Sequence, residues 1–326
     1  MPTITYQGKA YSTEPDETVL STLRRNGVLV PYSCGAGACH TCMLHCQKGE
    51  VTERSQKDIK PALKSLNYFL ACQCTPESDI EIALPDDEDV YISARCVEKK
   101  QLSPTVWRFR LEAAVPIFYH AGQFVNLKNE ADWLRSYSLA SLPAEDEHLE
   151  IQVRRMPEGQ MSHWLIDDFD VGMHVELEGP NGHCIYTDGE PEKPILMVGT
   201  GTGLAPLFGI LRDALHQGHS GEIHLYHGVR TADELYLHSN LIELAERHNN
   251  VHYHACVSGD DVPNDMQSGR AADVAMNHHP DLKGWRLFLC GAPEMVKTMR
   301  KNAFLAGASM ADISADAFTL TSGDAE

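Results

Sequence analysis

The chain of 326 residues is short of basic residues, long apolar runs and internal repeats. It has 27 Lys and Arg against 46 Asp and Glu, which gives a formal net charge of −19 at pH 7. An acidic surface of this kind repels nucleic acid and anionic membranes, so neither is expected as a partner. No apolar run approaches the roughly 20 residues that cross a bilayer. The first six residues lack the basic and apolar regions of a signal peptide, which favours a cytoplasmic location.

Cysteine, by contrast, is plentiful, with ten residues in the chain. Without an export signal, this number predicts metal ligands and free thiols rather than a disulfide framework. The length allows two or three domains, each with its own core. No feature of the sequence predicts an oligomeric state.

Three cysteines, Cys34, Cys39 and Cys42, form a Cys-x4-Cys-x2-Cys pattern, and Cys72 follows thirty residues later. This spacing is typical of plant-type [2Fe–2S] ferredoxins. Each iron of such a cluster needs two thiolates, so a short loop must wrap the cluster while a distant strand supplies the last ligand. A structural zinc site and scattered buried thiols are the alternatives, but zinc usually collects its cysteines in paired short spacings. The pattern therefore favours a [2Fe–2S] cluster.

The fourth ligand has two candidates, because Cys72 and Cys74 lie only two positions apart. The surrounding segment resembles the closing segment of plant-type ferredoxins, in which the ligand cysteine precedes Pro, Ser and Asp. Those residues match Pro76, Ser78 and Asp79. The resemblance implies that Cys72 is the ligand and that Cys74 is spare.

Residues 1–89 are predicted to form a small α+β domain, which the same resemblance implies to be a β-grasp ferredoxin domain. Residues 4–11 indicate a hairpin, and residues 16–25 form an amphipathic pattern that predicts a helix. Residues 80–84 alternate in the manner of an edge strand. Four acidic residues after Pro85 predict a linker at the first domain boundary.

Residues 90–189 are predicted to form an antiparallel β-barrel, because runs such as 105–111 and 149–153 alternate apolar and polar residues between turn signals. The sequence Arg-Ser-Tyr-Ser at 135–138 places a cation, an aromatic ring and two hydroxyls on one predicted strand. A helix is predicted from Ser162, with this residue as its N-cap and its positive end directed at an anion. Alone, such a tetrapeptide also occurs in strands for packing reasons.

Arg-x-Tyr-Ser followed some twenty residues later by Gly-x-x-Ser resembles the FAD-binding domain of the ferredoxin–NADP reductase superfamily. This resemblance implies that Arg135 and the Ser162 turn hold the FAD phosphates and that Tyr137 stacks on the isoalloxazine. Ser138 would reach towards the flavin N5 and is a candidate catalytic residue. The other implied FAD contacts are Ser136, Gln152, Val153, Arg154, Gly159 and Met161.

Residues 190–326 alternate strand and helix patterns, which predicts a parallel α/β nucleotide-binding domain. A buried strand at 194–198 runs into a glycine-rich turn and then a helix, an arrangement that brings backbone amides close to phosphate. The spacing Gly-x-Gly-x-Gly-x-x-Pro differs from the Rossmann fingerprint, but it resembles the pyridine-nucleotide loop of the reductase superfamily. The nucleotide-binding residues so implied are Gly199, Thr200, Gly201, Thr202 and Gly203.

Three further features concern the nucleotide and the flavin. Arg230 follows the second strand, where it could pair with a 2′-phosphate, but Asp233 and Glu234 would repel one, which favours NADH over NADPH. Cys290 and Gly291 belong to a Cys-Gly-x-Pro sequence that in the superfamily lies beside the nicotinamide, so both are candidate cofactor contacts and Cys290 a candidate catalytic residue. Near the C-terminus, Phe318 is either a flavin cover or an ordinary packing residue.

The order of the three domains resembles the reductase components of bacterial multicomponent oxygenases. The resemblance implies an iron–sulfur flavoprotein oxidoreductase that takes electrons from NADH, passes them through FAD and a [2Fe–2S] cluster, and delivers them to an oxygenase or another one-electron acceptor protein. The alternatives are a reductase for a sugar-deoxygenating dehydrase, a redox sensor without enzymatic activity, and a flavin reductase that releases free reduced flavin. The nucleotide loop argues against the sensor and the ferredoxin domain against the flavin reductase.

Overall fold

The computed structural model describes residues 1–319 and contains three β-sheets, one in each predicted domain. The first sheet has the strand order β2-β1-β5-β3-β4 and carries two short helices. Its elements are β1 (Thr3–Tyr6), β2 (Lys9–Ser12), α1 (Val19–Arg25), β3 (Met43–Lys48), α2 (Pro61–Ser65), β4 (Tyr68–Leu70) and β5 (Ile80–Ala83).

The predicted hairpin is confirmed, because Tyr6 pairs with Lys9 across a two-residue turn in which both residues have positive φ. Helix α1 begins three residues later than predicted. Asp16 has a φ of 59°, which a right-handed helix does not allow, and the Thr18 hydroxyl accepts the Ser21 amide at 3.2 Å as the cap.

The prediction that residues 80–84 form an edge strand is wrong. Strand β5 lies between β1, which it pairs in parallel, and β3, which it pairs antiparallel. Ile80 and Ile82 are buried while Glu81 and Ala83 are partly exposed. The alternation therefore shows that one face of the sheet is buried and the other is more exposed. A central strand of an antiparallel or mixed sheet has this pattern as well as an edge strand.

The second sheet is the predicted antiparallel barrel, with the order β10-β7-β6-β11-β8-β9. An antiparallel bridge between Leu139 and Ile151 joins the two ends of the sheet and closes it. The residues predicted as a linker include a one-turn helix, α3. The elements are α3 (Asp87–Val90), β6 (Ile92–Ser103), β7 (Val106–Ala113), β8 (Phe124–Lys128), β9 (Leu134–Ser138), β10 (Leu149–Arg154), α4 (Gln160–His163) and β11 (His174–Asn181).

The third sheet is parallel, with the order β15-β14-β13-β12-β16-β17, as the alternation of strands and helices predicted. Its central strand β12 is buried between helices, and the glycine-rich turn follows it directly. The elements are β12 (Ile195–Thr200), α5 (Leu204–His216), β13 (Ile223–Val229), α6 (His238–Arg247), β14 (Val251–Val257), β15 (Gln267–Ser268), α7 (Ala271–His278), β16 (Arg286–Gly291), α8 (Pro293–Leu305) and β17 (Ile313–Ala317).

No helix in residues 1–319 is both long enough and apolar enough to cross a membrane.

Candidate functional site

The four predicted cluster ligands come together as two pairs of thiols. In the first pair, the Cys39 amide donates to the Cys34 Sγ at 3.4 Å, and the Cys34 amide donates to the Cys39 Sγ at 3.4 Å. In the second pair, the Cys42 thiol faces the Cys72 thiol, and the Ala71 amide donates to the Cys42 carbonyl at 3.0 Å. A short loop and the segment after β4 therefore each contribute to the group.

The environment of each pair favours one thiolate. The hydrogen bond from the Cys39 thiol lowers the pKa of Cys34 to about 5, helped by backbone amides such as that of Ala36 at 3.3 Å. The hydrogen bond from the Cys42 thiol likewise lowers the pKa of Cys72 to about 6. In the described residues, no three His, Cys, Asp or Glu side chains are arranged to hold one metal ion. Two thiols on each of two irons is the donor set of a [2Fe–2S] cluster, and these residues fit it.

The loop that carries the first three thiols depends on glycine. Gly37 has a φ of 79°, and a Cβ on it would lie 2.8 Å from Cγ of Gln73. The Gln73 side chain in turn donates to the Cys72 Sγ at 3.5 Å. Cys74 is fully buried in the core of the first domain, and burial raises the pKa of its thiol. Its surroundings therefore favour the neutral thiol, whereas those of Cys72 favour the thiolate.

Strand β9 presents the four residues of the predicted flavin sequence. Ser138 is buried, and its hydroxyl donates to Asp316 Oδ2 at 3.3 Å. Ser136 donates to the side chain of Asn126 on β8 at 2.6 Å. Arg135 and Tyr137, which alternate with these two serines along the strand, are half-buried.

The other predicted flavin contacts lie on and after strand β10. Val153 and Met161 are buried in the core of the barrel, so their side chains pack inside it. Gln152 is buried, its Nε2 donates to Glu150 at 3.0 Å, and its Oε1 has no hydrogen-bond partner. A buried carbonyl oxygen without a donor is the kind of group that a bound ligand satisfies.

The prediction that Ser162 is a helix N-cap is wrong. Helix α4 begins at Gln160, and Gly159 is its N-cap. The Ser162 hydroxyl instead donates to the Gly159 carbonyl at 2.8 Å and accepts the Met156 amide at 3.1 Å. A Cβ on Gly159 would lie 2.6 Å from that hydroxyl, so the turn needs glycine. Ser162 therefore braces the turn from inside the helix.

Asp316 is a site residue that the sequence analysis missed. It lies on the edge strand β17 directly opposite Cys290, in parallel register with β16. Burial raises the pKa of its carboxyl to about 6, and the hydrogen bond from Ser138 opposes that shift. One feature of the sequence could have indicated it: Asp316 is the single acidic residue in a strand of otherwise small or apolar residues, two positions before Phe318.

Cys290 lies at the end of β16 and is fully buried. Its Sγ is 3.8 Å from the Sγ of Cys184, which follows the barrel. Burial raises the pKa of the Cys290 thiol well above its ordinary value, and Cys184 and Asp316 add to the shift. Phe318 is half-buried, and its amide donates to the Gly291 carbonyl at 2.8 Å. Both predicted residues therefore lie at the same end of β16.

The glycine-rich turn packs against this end of β16. A Cβ on Gly203 would lie 2.2 Å from the Cys290 carbonyl oxygen, and a Cβ on Gly291 would lie 2.5 Å from the Thr200 hydroxyl. The buried imidazole of His227 lies 3.2 Å from the Gly201 carbonyl. Burial lowers the pKa of His227 to about 4, so the neutral ring can donate to that carbonyl. Both glycines are therefore required by the close packing of the turn against β16, and the turn leads directly into the N-terminus of α5, as in a phosphate-binding loop.

Arg230, the predicted ribose contact, is exposed beyond the end of β13. Its backbone amide donates to Glu234 Oε2 at 2.9 Å, and the amide of Thr231 donates to the same oxygen at 3.4 Å. Glu234 Oε1 accepts from the Arg154 guanidinium at 3.3 Å. The Glu234 carboxylate therefore already accepts hydrogen bonds from the two backbone amides that follow β13.

Comparison with known proteins assigns a family to each domain. Residues 3–77 match the 2Fe-2S iron-sulfur cluster binding domain, residues 93–186 the oxidoreductase FAD-binding domain, and residues 197–301 the oxidoreductase NAD-binding domain. These are the three domains and the cofactors that the sequence predicted, in the predicted order.

Relatives and solved structures match nearly the whole chain. The ferredoxin–NAD(P)+ reductase component of the naphthalene 1,2-dioxygenase/salicylate 5-hydroxylase systems of Ralstonia sp. is 33% identical, with 94% of each chain covered. The reductase subunit of an aromatic O-demethylase from Amycolatopsis sp. is 35% identical, with 89% of this chain and 90% of the relative covered. A cytochrome P450 reductase from Amycolatopsis has a similar crystal structure, with a TM-score of 0.71 and 32% identity over 98% of this chain and 99% of the other. The chain therefore belongs to the family of iron–sulfur flavoprotein ferredoxin–NAD(P)+ reductases that serve as reductase components of oxygenase systems.

Proposed function

We propose that the protein is an NADH-dependent reductase that passes electrons through FAD and a [2Fe–2S] cluster to a partner oxygenase component. The observation that carries the proposal is the direct contact between the first two domains. The carbonyl of Cys39, a proposed cluster ligand, accepts a hydrogen bond at 2.8 Å from Asn126 on the strand beside the flavin sequence. A cluster loop held against a flavin strand in one chain is an arrangement for electron transfer between the two groups.

Each cofactor has a set of residues that would hold it. Cys34, Cys39, Cys42 and Cys72 would bind the cluster, and the paired geometry supports two thiolates on each iron. Residues 135–138 and the turn at 159–162 would hold FAD. When bound, FAD accepts two electrons as a hydride and releases them singly to the cluster.

The residues at the end of β16 would position the nicotinamide beside the flavin. Gly203 and Gly291 allow the glycine-rich turn to pack directly against the end of β16, because a Cβ on either would collide with Cys290 or Thr200. Ser138 and Asp316 form a hydrogen-bonded pair next to Cys290, so they could hold or release a proton near the flavin. Phe318, fixed to Gly291, would cover the flavin ring.

The preference for NADH rests on Glu234. Its carboxylate already accepts the amides of Arg230 and Thr231 at the end of the second strand, where the adenosine ribose would lie. A 2′-phosphate at this position would meet a negative charge and would find these two amides occupied. A ribose hydroxyl, in contrast, can donate to the carboxylate.

The partner is proposed to be an oxygenase component that docks over the cluster loop. Gly35 and Ala36 are exposed at the outer edge of this loop, while Cys39 faces the flavin domain. One side of the cluster would therefore receive electrons and the other would deliver them. The oxygenase assignment follows the relatives, which are reductase components of oxygenase systems.

Anaerobic stopped-flow absorbance tests the proposal. The protein, loaded with FAD and cluster, is mixed with NADH and separately with NADPH. We expect flavin bleaching at ~450 nm, then loss of the cluster bands, with NADH the faster donor and with cytochrome c reduced as an artificial acceptor. If the flavin bleaches while the cluster stays oxidised, the ferredoxin domain is a sensor or docking module and the proposal is wrong.

A further inference from the structure

Asn126 is a buried side chain at the junction of the ferredoxin and flavin domains. It lies on β8 and is 1% exposed. Its Nδ2 donates to the Cys39 carbonyl at 2.8 Å and to Glu178 Oε2 at 2.6 Å, and its Oδ1 accepts from the Ser136 hydroxyl at 2.6 Å. One amide thus connects the cluster loop, the flavin strand and a buried carboxylate.

Glu178 fixes the orientation of this amide. It is 4% exposed, and its Oε2 accepts both from Asn126 and from Asn181, the latter at 2.9 Å. A carboxylate can only accept, so Asn126 must turn its NH2 group towards Glu178. The second N–H then points to the Cys39 carbonyl and the oxygen points to Ser136. The chemistry of the neighbours therefore determines which end of the amide faces which domain.

The surroundings leave little open space beside the amide. A cavity of about 20 Å³ is lined by Asn126, Glu178 and His40 of the cluster loop, among others. This volume holds at most about one water molecule. Elsewhere on the same junction, Lys60 Nζ donates to the Gly179 carbonyl at 2.6 Å, but that contact involves no predicted cluster or flavin residue. Asn126 joins a proposed cluster ligand to a proposed flavin residue through one side chain.

We infer that Asn126, oriented by Glu178, is the positioning residue for electron transfer from the flavin to the cluster. The inference rests on the proposed function. In the step concerned, one electron leaves the reduced flavin and one Fe³⁺ of the cluster becomes Fe²⁺, and no bond between heavy atoms forms or breaks. Asn126 holds the Cys39 loop at a fixed separation from the flavin strand, and the rate of such a transfer falls steeply as the separation grows.

The test compares Asn126→Leu with Asn181→Ala in the full chain loaded with FAD and cluster. Both variants remove a donor from Glu178, but only the first breaks the contacts to Cys39 and Ser136. In anaerobic stopped-flow with NADH, we expect flavin bleaching at the wild-type rate in both variants. Loss of the cluster bands should slow by about tenfold or more in Asn126→Leu alone, the scale of a small misplacement of reacting groups.

Two measurements separate positioning from a general loss of structure. Hydrogen exchange of residues 34–42 in the resting oxidised protein should be faster in Asn126→Leu than in Asn181→Ala. Glu178→Gln keeps the shape and the acceptor but removes a negative charge, so electron transfer should not slow and the midpoint potential of the cluster should become more positive.

The outcomes distinguish this inference from the proposed function. A wild-type protein that bleaches its flavin and leaves its cluster oxidised overturns both. A wild-type protein that transfers electrons, with Asn126→Leu no slower than Asn181→Ala, overturns the positioning role alone. If Asn126→Leu does not fold, Asn126→Ser takes its place, because it also breaks the contacts to Cys39 and Glu178; a loss of the cluster bands no slower than in Asn181→Ala then overturns the positioning role.

Discussion

The chain places thiols in pairs at two sites. At the first site the pKa of one thiol in each pair, Cys34 or Cys72, is lowered and that of its partner, Cys39 or Cys42, is raised, whereas at the second site the pKa of Cys290 is raised. In the proposed cluster loop, the pKa of Cys34 is lowered to about 5 by the thiol of Cys39 and by backbone amides. At the end of β16, the pKa of Cys290 is raised well above its ordinary value, chiefly by burial and then by Cys184. Thiols lie close to one another at both sites, so the closeness of the sulfur atoms does not explain the difference in pKa.

The difference lies in what surrounds each pair. The loop at 34–42 turns the amides of Ala36 and Cys39 towards sulfur, helped by the positive φ of Gly35 and Gly37. Cys290 lies in an apolar core between the barrel and α5. Amide donors make a site for thiolates and therefore for iron, whereas an apolar core makes a site for neutral sulfur.

Of the substitutions that test this difference between the two sites, Cys72→Ser should have the largest effect. The cluster has no other thiolate at that position, so we expect its absorption bands and iron content to be lost and cytochrome c reduction to fall to background. Flavin bleaching by NADH should persist, because the barrel and the nucleotide domain are untouched. Iron and sulfide analysis with visible spectra measures the result.

Cys74→Ser is the matched control, since Cys74 is two positions away and fully buried. It should keep the cluster spectrum and lose only some stability through the polar atom placed in the core. A protein that keeps its cluster without the Cys72 thiol and loses it without the Cys74 thiol would reverse the ligand assignment.

Asp316→Asn should give an intermediate effect at the second site. Burial raises the folded-state pKa of Asp316 from 3.8 to about 6, so the folded protein binds more protons than the unfolded chain between these two values. The free energy of unfolding that the wild-type protein owes to the raised pKa of Asp316 is therefore fully present below pH 3.8. It is lost as the pH rises to about 6 and the buried carboxyl ionises. The variant lacks this dependence, so its melting temperature relative to wild type should rise across that interval, by about 5 °C.

Differential scanning calorimetry of both proteins from pH 4 to 7 measures that difference, and the contributions of all other titrating groups cancel in the comparison. A difference that stays constant over this interval would mean that the carboxyl is not desolvated. A flavin bleaching rate that changes with pH near 6 in wild type and not in the variant would add a role in proton transfer.

Local patterns predicted most of the fold and the order of the domains. The hairpin at Gln7 and Gly8, the barrel strands and the turn after β12 all follow from alternation, turn residues and glycine spacing, and each was found in place. The central position of β5 was not predictable in this way, because alternation along one strand carries no information about its neighbours in the sheet.

The site was predicted less completely where it depends on contacts between distant residues. Ser138 and Asp316 are 178 positions apart, and neither the spacing nor the composition of either segment indicates that they meet. Ser162 shows the opposite failure. A serine before an apolar run predicts an N-cap, but the Gly159 backbone took that position and the hydroxyl turned inward.

Cys184→Ala should give the smallest effect and shows what the second thiol pair contributes. The Cys184 side chain is buried and touches Cys290, so removing its sulfur leaves a small cavity that should cost about 1 kcal/mol of unfolding free energy. Cys96→Ala is the control, because Cys96 is also buried but its Sγ donates to the Glu98 carbonyl at 3.5 Å and meets no second thiol. If the pair serves packing alone, both variants lose similar stability in urea and both keep the wild-type rate of flavin bleaching by NADH. A slower hydride step in Cys184→Ala alone would show that Cys184 sets the position of Cys290. The Cys184–Cys290 pair would then belong to the redox site, as the cluster thiols do.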